Sequence, residues 1–416
     1  MLSGIETSLY IHIPFCAGGK CDYCDFYSVP LEPGDSRPER FVDVLLQEGE
    51  RLFEKFRPAC VPTVYIGGGT PSVLGSGGIR KLLCGLSGLT SRFSPPPEEI
   101  TVEANPESAD EAFLSAAREA GATRLSLGVQ TFHEPSRRAV HRVPAAGVGE
   151  SLLSRRLALA AEYFPDSFSA DIISGLPFQS EKVLLDDIAA LLSYRPAHVS
   201  LYALTLEPGT PLALKAAAKD TPAGTLRHGR PAFPSGTFLP DRDEADRLWL
   251  CGRDALEKSG YGQYEVSNFC LHGRESRHNI RYWRMQNWLA LGPSASATII
   301  DDKTGKGFRY TIPREMVPGT FFTEDLTPLT LIKESFLMGF RYIEGPDEDL
   351  FRRRFRRGIL ELIPKTSAIW QERGFLRKDK SALTKEGLLF LDSFLLDAFQ
   401  ELDLSRSELD ASFFLC

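Results

Sequence analysis

Leu9-Tyr10-Ile11-His12-Ile13-Pro14-Phe15-Cys16, running on through Ala17-Gly18-Gly19-Lys20 to Cys21, Cys24 and Phe26, is the stretch on which the reading of the chain turns. An apolar, β-prone run from Leu9 to Ile13 stops at Pro14, and three cysteines then fall within nine positions. Thiolates are soft ligands that favour iron and zinc, so three of them after a strand point to a metal centre. Three is one short of a full set. A cubane iron–sulfur cluster held by three cysteines leaves one iron open to a substrate or cofactor. A structural zinc site wants a fourth ligand, and His272 and His278 could complete one only from far away in sequence. A disulfide is disfavoured, because Cys60, Cys84, Cys251, Cys270 and Cys416 are scattered and no signal peptide precedes them. On spacing alone the cluster leads, with zinc and a metal-free loop still open.

A chain of 416 residues has room for one large domain and a smaller one, and 43% apolar with 25% charged residues is ordinary for a globular protein. A net charge of −7 gives no reason to expect general nucleic-acid binding. The run Arg352-Arg353-Arg354-Phe355-Arg356-Arg357 is a local exception and reads as a solvated helix face. No apolar run reaches the ~18 residues that span a bilayer. The expectation is a cytoplasmic protein, where thiols stay reduced and free for metal.

Outward from the cysteines, residues 39–58 have helical character, and Val61 to Ile66 reads as a strand closed by Gly67-Gly68-Gly69-Thr70-Pro71. Further strands are expected at Glu99–Val102, Arg124–Val129, Phe168–Ile173 and His198–Leu204, each followed by a helix-like stretch. Such alternation implies an α/β fold, here a full or partial (β/α) barrel with its chemistry at the C-terminal ends of the strands. Residues 213–240 read as an extended loop, while Tyr264–Ser267 and Leu289–Ile299 are candidates to extend the sheet. The expected division is 1–312 for the barrel with its extension and 313–416 for a mostly helical, winged-helix-like domain. In that domain Gly374 to Gly387 reads as a hairpin and helix start, with Thr384 as N-cap.

Several polar residues sit at the expected strand ends. The triple glycine lets backbone amides approach a ligand, though alone it could be a tight turn, and no Gly-Lys-Ser/Thr follows to make it a phosphate loop. Glu103 could accept hydrogen bonds from a ribose or an ammonium group. Gln130 offers an amide, Arg142, twelve residues later, a guanidinium suited to a carboxylate, and Asp171 a further carboxylate. Taken singly each is more often structural; regular placement at successive strand ends argues for a site. Farther on, His278-Asn279-Ile280-Arg281-Tyr282-Trp283 sets an imidazole beside two aromatics. It could ligate a haem iron or form a buried hydrogen-bonding cluster at the barrel mouth.

Tyr10-x-His12-Ile13-Pro14-Phe15-Cys16 with its cysteines resembles the radical S-adenosylmethionine (SAM) proteins of the oxygen-independent coproporphyrinogen III oxidase-like family, and most closely their haem-chaperone branch. That family spaces its cysteines C-x3-C-x2-C; here the first loop is one residue longer, and Gly18-Gly19 can absorb the addition. The resemblance covers Leu9 to about Leu391 apart from 213–240. It implies a [4Fe–4S] cluster on Cys16, Cys21 and Cys24, whose open iron takes SAM for reductive cleavage to a 5′-deoxyadenosyl radical. It further implies SAM contacts from Tyr10, Tyr23, Gly68, Gly69, Thr70, Glu103, Gln130, Arg142, Asp171 and Ala203, and haem on His278. The implied partners are haem as cargo, an acceptor haem protein and a reductant such as flavodoxin or ferredoxin. The alternatives are the oxidase itself or another radical enzyme acting on porphyrins, such as a haem-opening one. The oxidase branch carries a further cysteine where this chain has Phe26, and a long arm where nine residues precede Tyr10. Both features point away from coproporphyrinogen decarboxylation.

Overall fold

Alternation along the first strand sets the architecture. In β1 (Ser8–Ile13), Leu9, Ile11 and Ile13 are fully buried among apolar residues of the surrounding helices. Ser8, Tyr10 and His12 face the other way: Ser8 meets Thr63 and Tyr10 stacks on Tyr65 of the neighbouring strand, while His12 meets the Tyr10 hydroxyl. That is the period-2 signature of a sheet with two different faces. The computed structural model describes residues 5–32, 34–92, 95–142, 150–218 and 239–404.

Parallel to β1 run β2 (Thr63–Gly68), β3 (Glu99–Ala104), β4 (Arg124–Gln130), β5 (Phe168–Ser174) and β6 (His198–Ala203), in sequence order. Helices return the chain between them, the first being Arg37–Phe56. Its Val42, Leu45, Leu52, Phe53 and Phe56 form the buried stripe, and Arg57 in a left-handed conformation ends it. Beyond β6 the hairpin of β7 (Gly262–Gln263) and β8 (Asn268–Cys270) pairs antiparallel. On the other side, β9 (Trp288–Leu291) lies parallel to β1. Then β10 (Ser296–Ile300), β11 (Gly307–Thr311) and β12 (Phe322–Leu326) continue antiparallel, giving 12 strands in one sheet among the described residues. The result is the partial (β/α) barrel expected from the strand–helix alternation, with a helical C-terminal region.

Three readings need correction. Tyr264–Ser267 is the connection between β7 and β8 rather than a strand, because the Glu265 carboxylate accepts from Ser267 N and turns the chain there. Within 213–240, the residues up to Ala218 belong to the helix Pro211–Ala218, and 219–238 lie outside the described residues. The basic run is not wholly solvated. On helix Glu348–Phe355, Arg352 and Arg353 are exposed, but the Arg354 side chain is 3% exposed. Its guanidinium pairs with Asp302 at 2.8 Å and donates to the Met285 carbonyl at 2.7 Å.

A second apolar core around Phe336, Phe340, Phe355, Trp370 and Phe394 lies in the C-terminal helices. Leu376 and Leu383 form an antiparallel bridge, and Thr384 caps the following helix by accepting from Gly387 N. No helix of the described residues is long and apolar enough to cross a membrane.

Candidate metal centre and ligand site

The cysteine loop is clamped at both ends. Phe15–Ala17 pairs in parallel with Val29–Leu31, and Val29 N donates to Pro14 O. Within the loop, Gly18 and Gly19 take φ of +73° and +102° with open space where a side chain would be. The longer spacing is accommodated at those two residues without strain. All the described cysteines are free, and Cys16, Cys21 and Cys24 are each half-buried. Burial pushes the Cys24 thiol up, and Cys21 and Cys16 add to the shift, so both lie within electrostatic reach of Cys24. Among the described residues, no three His, Cys, Asp or Glu side chains converge on a point that one ion could occupy.

The surroundings suit thiolate sulfur. Thr70, 2% exposed, directs its hydroxyl at Cys16 Sγ (3.7 Å), and Arg142 directs Nη1 at Cys21 Sγ (3.5 Å). Tyr23 packs against the small apolar cluster of Val140, Ile173, Leu176 and Leu212. Its hydroxyl is pushed up by burial against the pull of Arg142. Asp22 binds Lys215 and His141, which ties the loop to helix Pro211–Ala218.

Beside this loop the C-terminal strand ends present a cluster of polar side chains. Gly68 adopts φ +109°, and a Cβ there would stand 2.5 Å from the His12 ring, so the turn accepts only glycine. Gly69 N donates to Ile13 O, and Gly68 N donates to Glu103 Oε2 at 3.1 Å. Tyr65 donates to the other Glu103 oxygen at 2.6 Å and stacks on Tyr10, whose hydroxyl meets His12 Nδ1. Burial raises the Glu103 carboxyl to about 7 against those two donors, with the Asp171 charge adding to the rise. Asp171 is raised by burial as well, and Arg124, Arg142 and the Ser126 and Ser200 hydroxyls oppose the shift.

Gln130 ends β4 with φ +67°, just past a register shift, and its buried Oε1 has no partner among the described residues. An orphaned acceptor and two carboxyls raised by burial fit a ligand that brings hydroxyl or ammonium donors. Ala203 is exposed at the end of β6. One placement differs from expectation: Asp171 lies in the middle of β5, opposite Gly128 and Ser200, one layer below the strand ends. Asn105 and Tyr65, which hold Arg142 and Glu103, carry no signal in the sequence beyond standing at and before strand ends.

His278 is also relocated. It packs at the opposite, N-terminal end of the barrel, against the first residues of β2 and β3. Its Nδ1 donates to Thr63 Oγ1 at 2.8 Å, Thr63 in turn donating to Ser8. Its Nε2 accepts from the Tyr282 hydroxyl at 2.9 Å, and the residue is fully buried. Glu99 accepts from the amides of Arg277 and His278, holding the positive end of helix Arg277–Trp283 to the barrel floor. Burial, reinforced by Arg281 and Arg124, brings the imidazole down to about 3, so it is neutral. Both ring nitrogens of His278 are engaged in hydrogen bonds in this fold, and the residue lies at the barrel floor rather than the mouth.

Comparison with known proteins fits this geometry. The radical SAM superfamily model matches residues 10–191, which hold the cysteine loop and the first five parallel strands. The heme chaperone HemW of Escherichia coli is 30% identical over 93% of this chain and 97% of its own length. That of Mycobacterium tuberculosis is 35% identical over 72% of this chain and 71% of its own. Among solved structures, the coproporphyrinogen III oxidase HemN of Escherichia coli superposes with a TM-score of 0.75 at 20% identity, over 96% of this chain and 91% of that one. The fold is that of a radical SAM protein, and the chain belongs to the radical SAM superfamily and, within it, to the family of the proteins named heme chaperone HemW.

Proposed function

We propose that this chain is a haem chaperone: it holds a [4Fe–4S] cluster on Cys16, Cys21 and Cys24, binds SAM beside it, and passes bound haem to an acceptor protein. The carrying observation is that Cys16 and Cys21 each receive a hydrogen-bond donor, from Thr70 and Arg142 of the polar cluster at the strand ends, which puts cluster ligands and ligand-binding groups side by side. A bound cluster supplies one-electron reduction of SAM coordinated at its open iron. Arg142 would meet the SAM carboxylate, Glu103 and Asp171 its hydroxyl and ammonium groups, and Gln130 a further donor. Tyr10, Tyr23, Gly68, Gly69, Thr70 and Ala203 would line the same site. The names of the relatives support haem as cargo. A flavodoxin- or ferredoxin-like reductant, a cytoplasmic setting that keeps the thiols reduced, and a boundary after residue 312 belong to the same proposal.

Anaerobic reconstitution tests the first half: about four irons per chain with a paramagnetic reduced state are expected. Stoichiometric zinc without a cluster signal would sink that part. The second half is tested by loading the protein with haem and following transfer to a haem-free acceptor. A parallel assay with SAM, reductant and coproporphyrinogen III should give no decarboxylation, since Phe26 stands, 67% exposed, where the oxidase branch carries a cysteine. Arg142→Ala should weaken SAM binding by about 1.5–3 kcal/mol, roughly 10- to 100-fold, by removing a charge-assisted contact. Calorimetry on the reconstituted variant checks it, and unchanged affinity would place the SAM carboxylate elsewhere.

A further inference from the structure

The cluster-facing donors are joined by one residue that no motif assigns. Asn105 follows β3 and reaches both sides of the cysteine loop. Its Nδ2 donates to Thr70 Oγ1 at 2.9 Å, and its Oδ1 accepts from Arg142 Nη2 at 2.9 Å. Thr70 continues to Cys16 Sγ, and Arg142 to Cys21 Sγ. Two cluster thiolates are therefore linked through a single hydrogen-bonded chain.

The direction of that chain is fixed by chemistry. A guanidinium can only donate, so it holds the Asn105 carbonyl oxygen toward itself. The amide NH2 then points at Thr70 and occupies a lone pair of its hydroxyl, which leaves the Thr70 proton aimed at Cys16. Asn105 is itself anchored, its backbone N donating to Ser72 Oγ at 3.1 Å. Arg142 is anchored by Nη2 donating to Gly128 O at 2.5 Å. A Cβ at Gly128 would lie 2.9 Å from Arg142 Nη2 and 3.1 Å from Asn105 Oδ1, so glycine there keeps the slot open.

We propose that Asn105 is a positioning residue that orients Thr70 and Arg142 as hydrogen-bond donors to Cys16 and Cys21 and thereby sets the reduction potential of the cluster. The inference rests on the cluster assignment above. Donors to cluster sulfur stabilise the reduced, more negative state, so their loss makes the cluster harder to reduce.

The test is an EPR-monitored redox titration of the reconstituted protein, with iron and sulfide counted in every sample. Thr70→Val, Asn105→Leu and Gly128→Ala should each keep the cluster and shift its midpoint to more negative values. The Thr70→Val/Asn105→Leu double variant should shift by less than the sum of the singles, because both act on Cys16. Asn105→Asp keeps the size of the side chain but turns the Thr70 hydroxyl toward the carboxylate, and it should shift the same way. An intact cluster at the wild-type potential in Asn105→Leu or Asn105→Asp overturns the proposal. If neither Asn105 variant retains the cluster, Thr70→Val decides, since it changes neither charge nor volume, and an unshifted potential there also overturns it. Failure of the wild-type protein to take up any cluster would instead refute the cluster assignment itself.

Discussion

His278→Ala is expected to destabilise the protein by about 2–4 kcal/mol while leaving iron content and haem affinity unchanged. The loss has three parts. The Tyr282 hydroxyl loses its partner and Thr63 Oγ1 loses the donor to it while keeping its bond to Ser8, each loss costing up to about 1–3 kcal/mol, part of which relaxation recovers. The imidazole also fills space between Tyr65 and Tyr282, with ring centroids 5.2 and 4.8 Å away, so its removal leaves a cavity. A ligand role predicts the reverse pattern, in which the Soret band is lost or shifted and the unfolding midpoint stays in place. His278→Gln separates the two further, because an amide can replace one hydrogen bond but ligates haem iron poorly. It should recover part of the stability. Urea unfolding and haem titration of the same samples read both quantities, and a lost haem spectrum at wild-type stability would instead make His278 the axial ligand.

This relocation shows where sequence reading ends. The strand ends were legible because glycine and proline punctuate β-prone runs, as at Gly67 to Pro71, and because parallel strands gather their chemistry at one end. The Thr384 cap was legible because its partner is three residues away. His278 was not, because nothing local says at which end of the barrel a helix arriving between β8 and β9 will lie. That is set by Glu99, nearly 180 residues earlier, whose carboxylate holds the helix N-terminus. Asp171 missed by one layer for a similar reason: alternation gives the face of a strand but not where the strand stops. Arg354 looks like its charged neighbours until Asp302 and the Met285 carbonyl are placed beneath it. Contacts between chain-distant residues decide each of these cases, and they leave no periodic trace.

Glu103→Gln is expected to raise stability relative to wild type as the pH rises from 4.5 to 8, by a total on the order of 3 kcal/mol. The carboxyl titrates near 7 in the fold against an ordinary value of 4.5, chiefly because burial disfavours its charge. A raised acid stabilises the fold fully below the unfolded value. Between 4.5 and 7 the unfolded chain gives up its proton while the folded one keeps it, and that contribution is lost. Above 7 the carboxylate is charged in both states and the deficit is constant. Glutamine does not titrate, and it can keep both contacts by accepting from Gly68 N and donating to the Tyr65 hydroxyl. Titrating groups distant from Glu103 act in both proteins and cancel from the difference to first order. Urea unfolding of the pair at half-unit steps measures the curve, and a flat difference would show that Glu103 is well solvated. The same stored cost bears on function. A cationic ligand beside Glu103 favours the charged carboxylate, so SAM binding at pH 6.5 should release protons from wild type and release fewer from Glu103→Gln. Calorimetry in two buffers of different ionisation enthalpy reads that proton count, and equal release from both proteins would remove Glu103 from the site.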